Sequence, residues 1–187
     1  MNILFLGDIV GRGGCKAIKE KLPKIINDKK IDFVIANGEN AADDGNGITK
    51  NISESLLNSG IDVLTSGNHI WDKKEINEYI KEQKRLLRPL NFYSNSPGNG
   101  YMVYKSKNNF KVGVLNLMGN VFMDKCDNAF SKAKDFLEKY KLKKDFDFLI
   151  VDFHGEITSE KMALGHYFDG LATLVVGTHT HVPTQDG

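Results

Sequence analysis

Eight residues of metal-ligating or acid–base type fall just after short apolar runs in this 187-residue sequence. Asp8 follows Ile3–Leu6 through Gly7, and Glu39-Asn40 follows Phe33–Ala36 through Asn37-Gly38. Asn68-His69 follows Val63–Thr65 through Ser66-Gly67, and His154 follows Phe148–Val151. His179 and His181 close the run Gly177-Thr178-His179-Thr180-His181 after Thr173–Val176. Taken singly, Asp8 reads as a helix cap or loop carboxylate and Glu39-Asn40 as turn residues. His69 and His154 stand evenly between hydrogen-bonded core residues and functional ones. The pair His179/His181 is different, because alternate residues on an extended segment share a side, and a metal role is expected for both. Occurrence of the whole set at five strand ends makes coincidence a poor account.

The set holds two carboxylates, two carboxamides and four histidines, with no thiolate. Such a field suits iron or manganese, with zinc also accommodated, and is richer in nitrogen than magnesium or calcium prefers. It also exceeds what one tetrahedral catalytic zinc uses, so two divalent or trivalent transition-metal ions are expected. A pair about 3.5–4 Å apart can hold a bridging hydroxide at neutral pH, polarise a phosphoryl oxygen and stabilise in-line displacement at phosphorus. The chemistry expected is therefore hydrolysis of a phosphoester.

Something must bring these residues together. Short β-branched and aromatic runs alternate with amphipathic stretches, the pattern of βα units around a parallel or mixed sheet covered by helices on both faces. Strands are predicted at Ile3–Leu6, Phe33–Ala36, Val63–Thr65, Val112–Asn116, Phe148–Val151 and Thr173–Val176, with a hairpin from Tyr101–Tyr104 through the polar turn Lys107–Asn109. Helices are predicted at Cys15–Asn27, Ser53–Asn58, Lys74–Gln83, Phe130–Tyr140 and Ser159–Leu164, with Ser53 and Ser159 as N-caps. Asp8 to Glu39 and Glu39 to Asn68 each span about one βαβ repeat of roughly 30 residues. In open α/β sheets the carboxyl ends of adjacent strands converge on one crevice. Gly11-Arg12-Gly13-Gly14-Cys15-Lys16 lacks both the Walker spacing and a full GxGxxG; it reads as a loop opening the first helix, with Arg12 and backbone N–H groups beside the substrate phosphate. His166 is expected to be structural or to support a ligand. Asp43 and Asp44 read as a solvated loop.

Composition narrows the rest. The length fits one domain over 1–187 with a core that needs no disulfide. The net charge of +1 leaves no basic field for nucleic acid or an anionic membrane. The two cysteines, Cys15 and Cys126, stand in no ligand spacing and read as reduced thiols of a cytoplasmic protein. No signal peptide and no apolar run approaching the roughly 18 residues of a span is seen. A small phosphodiester, with no stable nucleic-acid complex, is the expected partner, and a homo-oligomer is compatible with the sequence.

The ordered blocks resemble the calcineurin-like metallophosphoesterases. Val10 stands where a histidine is usual, Glu39 replaces the usual bridging Asp, Asn40 follows it, and Ile70 replaces an acidic residue. With Asp8-Ile9-Val10-Gly11-Arg12, Asn37-Gly38-Glu39-Asn40-Ala41 and Gly177-Thr178-His179-Thr180-His181-Val182, the chain resembles the YmdB-type branch along nearly its whole length. The resemblance implies a four-layered α/β fold and a binuclear-metal phosphodiesterase acting on 2′,3′-cyclic nucleotides. It implies that Asp8, Glu39, Asn40 and His181 hold one metal, that Glu39, Asn68, His154 and His179 hold the other, and that Glu39 bridges them. His69 would be the general acid. Related chains continue beyond the last His-x-His block, so strands that would complete the second half of the sheet are expected to be missing from 1–187. A metal-dependent phosphomonoesterase and a regulatory nucleotide- or metal-binding module with little turnover are the alternatives; the intact His69 speaks against the latter.

Overall fold

The structure, a computed structural model, describes residues 1–184. Its elements run β1 (Ile3–Leu6), α1 (Gly11–Asp28), β2 (Phe33–Asn37), α2 (Lys50–Asn58), β3 (Val63–Thr65), a 3₁₀ turn (Asn68–Trp71), α3 (Ile76–Glu82), β4 (Tyr101–Lys105), β5 (Lys111–Met118), α4 (Ala129–Lys139), β6 (Phe148–His154), α5 (Thr158–Tyr167) and β7 (Leu174–Thr178). The strands form two sheets, β1-β2-β3 and β4-β5-β6-β7. The first is wholly parallel. The second is mixed, because β4 pairs antiparallel with β5 as the expected hairpin while β5, β6 and β7 run parallel.

Side-chain alternation assembles four layers. One face of the first sheet, Phe33, Ile35 and Val63, packs with Val112, Val114 and Ile150 of the second. The opposite face of the first sheet, with Val34, Ala36 and Leu64, shares a core with Cys15 and Leu22 of α1 and Leu56 and Leu57 of α2. The outer face of the second, with Leu115, Leu149, Val151 and Phe153, packs on Ala133 and Phe136 of α4 and Leu164 of α5. Because successive strand residues point to opposite faces, strands buried on both sides need near-continuous apolar sequence, which β2 and β6 have.

The α/β class with flanking helices is as the sequence predicts, but the sheet is two sheets rather than one. Repeating βα units look alike in one sheet or two. The capping expectations also change. Thr49, not Ser53, caps α2 by accepting from the N–H of Ile52, and Ser159 lies inside α5, which has no side-chain cap. The glycine-rich run is the first turn of α1 rather than a loop before it. Register sets the carboxyl ends level: Leu6 lies beside Ala36, Ala36 beside Leu64, and His154 between Met118 and Thr178. No helix among the described residues is long and apolar enough to cross a membrane.

Candidate metal centre

The level strand ends carry two adjoining groups of donor atoms. In the first, Nε2 of His154 lies 2.8 Å from Glu39 Oε1, 3.0 Å from His179 Nδ1 and 3.2 Å from Asn68 Oδ1. Donor atoms of Glu39, His154 and His179 all lie within 4.8 Å of one another. Three polar atoms thus crowd one ring nitrogen, an arrangement that a cation among them would satisfy. Burial pushes the Glu39 carboxyl up, but the hydrogen bond and charge of His154, with the His69 N–H, outweigh it and leave the group below its ordinary value. Burial opposes charge on His154 too, yet the carboxylates of Glu39, Asp8 and Asp152 raise it, while burial and His154 itself lower His179. The pocket favours positive charge at its centre.

The second group is Asp8, Asn40 and His181. Nε2 of His181 is 3.3 Å from Asn40 Oδ1 and 3.6 Å from Asp8 Oδ1. Asn40 donates from Nδ2 to the Gly45 carbonyl at 2.8 Å, which turns its oxygen toward His181. Asp8 accepts the His179 backbone N–H on Oδ2 at 3.1 Å, and its other oxygen is buried without a hydrogen-bond partner among the described residues. A buried carboxylate oxygen left bare is costly unless a cation sits by it. Gly67 keeps the space open, because a Cβ there would collide with the His154 ring and the Glu39 carboxylate. The donor set and its geometry fit the binding of metal cations.

The structure brings all eight sequence-predicted residues to this end of the sheets, but not always by the expected route. His179 and His181 do not share a face by strand alternation. Strand β7 ends at Thr178, and both histidines take left-handed backbone, φ 97° and 55°. Non-glycine residues adopt such conformations at a cost and cluster at functional sites. The twist sends His179 to the first group and His181 to the second. His154 is the last residue of β6 and not a loop residue.

His69 lies in the 3₁₀ turn with its N–H donating to Glu39 Oε2 at 3.1 Å and its ring Nδ1 2.8 Å from Asp72 Oδ2. The ring is thus held through Nδ1 and a third exposed. Arg12, expected beside the phosphate, is 80% exposed and paired with Asp43 at 2.7 Å. Asp43 and Asp44 are not simply solvated, since Asp44 pairs with Lys73 at 2.6 Å.

Sequence reasoning missed the groups behind these. Asp72 could have been found from its i+3 spacing to His69 on a helical turn. Glu156, 2.9 Å from His179 Nε2, could have been found beside His154. Asp152 gave no signal. It is fully buried, and it accepts from Thr178 Oγ1 at 2.7 Å, from Asn37 Nδ2 at 3.1 Å and from Thr65 Oγ1. Burial pushes it up to about 6. With its hydroxyl proton given to Asp152, Thr178 accepts from His154 Nδ1 at 2.9 Å, which holds a proton on Nδ1 and makes Nε2 the nitrogen that would face a cation. Such outer partners fix ligand tautomers in metal sites.

Comparison with known proteins agrees with this geometry. The family described as YmdB-like protein matches residues 4–187. The chain is 47% identical over 186 residues to the 2′,3′-cyclic-nucleotide 2′-phosphodiesterase of Bacillus subtilis strain 168, covering all of this chain and 69% of that one. A solved hypothetical protein from Thermus thermophilus superposes with TM-score 0.91 at 41% identity, over 100% of this chain and 70% of that one. A novel phosphatase from Mycoplasma pneumoniae superposes with TM-score 0.88 at 37% identity, over 98% of this chain and 66% of that one. The chain thus spans about two thirds of each relative's length. With the Glu39-Asn40 and His179-x-His181 donors gathered at level strand ends, and a family match over nearly the whole sequence, the chain belongs to the YmdB-like family of phosphoesterases.

Proposed function

We propose that this chain hydrolyses small phosphodiesters, 2′,3′-cyclic nucleotides foremost, at a centre of two transition-metal ions, iron or manganese with zinc also accommodated. The observation that carries the reading is the convergence of Glu39, His154 and His179 beside an Asp8 oxygen that has no partner among the described residues. The name of the Bacillus subtilis relative supplies the substrate class. When bound, a pair of such ions makes water acidic enough to attack near neutral pH and offsets negative charge building on phosphorus. In this assignment Asp8, Asn40 and His181 would hold one ion, Asn68, His154 and His179 would hold the other, and Glu39 would serve both.

The protein's own part is positioning and proton transfer. The attacking water gives its oxygen to phosphorus and loses a proton to solvent as the bond from phosphorus to one ribose oxygen breaks. That oxygen leaves as an alcohol by taking a proton from His69, whose ring Asp72 holds through Nδ1. The near-neutral charge favours small substrates of a cytoplasmic enzyme over long nucleic acid, with a shallow salt dependence of binding.

A phosphomonoesterase is the second reading, favoured by the Mycoplasma pneumoniae relative's description as a phosphatase. Metal content of the purified protein, measured with turnover of 2′,3′-cyclic AMP, bis-p-nitrophenyl phosphate and p-nitrophenyl phosphate, separates the readings. Turnover of the cyclic nucleotide ahead of the monoester is expected. The reverse order assigns the chain to monoesters, and metal binding without turnover of any of the three makes it a binding module.

A further inference from the structure

One cation near the centre has no part in the reading above. Lys161 stands in α5, and its stem crosses the carboxyl end of β7 so closely that a Cβ at Gly177 would lie 2.7 Å from Lys161 Cδ. With glycine at 177 the stem lies there without having to shift. The ammonium donates to Thr180 Oγ1 at 3.1 Å, between the two histidines of the final block. Thr180 takes one of its three N–H donors, and no carboxylate among the described residues pairs with it. Burial pulls the ammonium below the ordinary lysine range against the opposing pull of Asp8, Glu156 and Asp152. The side chain is therefore half-desolvated at the rim of the site with donors to spare. Arg12, the cation the sequence suggests for phosphate, is spent on Asp43 at the surface.

We propose that Lys161, through Nζ beside Thr180, is the side chain that binds the phosphoryl oxygens of the substrate, a phosphate mono- or diester anion. The assignment rests on the phosphoesterase reading of the adjoining centre. It gives α5 a direct role in substrate binding. A compact, partly desolvated ammonium gains more from an anion than a solvated one does.

The test uses the manganese-loaded protein with inorganic phosphate as the probe, its affinity measured by calorimetry and as competitive inhibition. Lys161→Gln keeps a donor for Thr180 and removes the charge. It should weaken phosphate binding about tenfold, as loss of one charge-assisted hydrogen bond does. It should raise KM for 2′,3′-cyclic AMP by a similar factor with kcat nearly unchanged, the pattern of lost uniform binding. Lys161→Arg should recover most of the affinity. Thr180→Val, which cuts the hydrogen bond and leaves the ammonium, should bind phosphate as the parent does.

Unchanged phosphate affinity in Lys161→Gln overturns the proposal. An equal loss in Thr180→Val also overturns it, because the lysine would then serve only to hold the 178–181 segment. Should Lys161→Gln fail to fold by melting temperature or metal content, the same comparison is made with Lys161→Met. If the parent binds phosphate through Lys161 but hydrolyses no ester, the activity fails and the anion site stands; if it hydrolyses esters and the variants are silent, the reverse holds.

Discussion

The two sheets present their functional side chains from ends built to different standards. Strand β2 is buried along its whole length, and Glu39 just beyond it is 1% exposed. Among the described residues β7 is the outer strand of its sheet, with Leu174 42% exposed, and it leads to a His181 side chain 44% exposed on left-handed backbone. Buried β6 stands between these extremes and sets His154 against Glu39. The carboxylate side of the centre is thus a fixed frame, and the final histidines form a more yielding side that a bound cation would draw in. The contacts at each end set how much a substitution there should cost.

The largest effect should come from Glu39→Ala, at the proposed seam between the two donor groups. It removes the carboxylate facing His154 and the acceptor of the His69 N–H together. Loss should exceed the roughly 10–100-fold that deleting an outer partner costs, with bound metal falling in the same preparation. Retention of both metal and turnover would show that Glu39 is not the seam.

Next is His69→Ala, also on the framed side. Positioned acid catalysis is worth about 10²–10⁴-fold, so kcat on 2′,3′-cyclic AMP should fall by roughly that factor with metal content near the parent's. The deficit should shrink on bis-p-nitrophenyl phosphate, whose phenolate leaves without a proton. Equal deficits on both substrates would reject the acid role, and lost metal would make His69 a ligand.

A smaller effect is expected behind His154. Thr178→Val keeps the shape and removes the hydroxyl that joins His154 Nδ1 to Asp152, so metal affinity should fall about 10–100-fold. Thr178→Ser should restore it. Titration of manganese into metal-free protein measures both, and equal affinities for Val and Ser would show that the hydroxyl sets no tautomer.

Sequence reasoning reached the donors because most of them follow an apolar strand through a short glycine-containing turn, a local pattern that topology then makes convergent. It could not reach what supports them. Asp152 sits within Phe148–His154 like any core strand residue, and its partners Asn37 and Thr65 lie 115 and 87 residues away in the other sheet. The left-handed turn at His179 and His181 was equally hidden, since alternation assumes extended backbone and histidine does not announce a positive φ. The division into two sheets follows from strand pairing, which periodicity does not encode; the β4–β5 hairpin was its one local trace.

The smallest effect tests the yielding side directly. Leu174 begins β7 with much of its side chain in water, so truncation forfeits little burial, and Leu174→Ala should change stability by less than about 0.5 kcal/mol. Ile35, wholly buried between the sheets in β2, should cost about 2–5 kcal/mol when cut to Ala, from lost transfer energy and the cavity left behind. Urea unfolding of the two variants gives the comparison. The amides of β7 should also exchange with solvent sooner than those of β2, because an outer strand with exposed side chains opens at lower free energy than a central one. Loading metal should narrow that gap, since in the proposed assignment His179 and His181 would tie the end of β7 to Asp8, Glu39 and Asn40. If β7 exchanges as slowly as β2 without metal, the edge is already fixed by its contacts with β6 and α5, and the two ends of the centre are built alike.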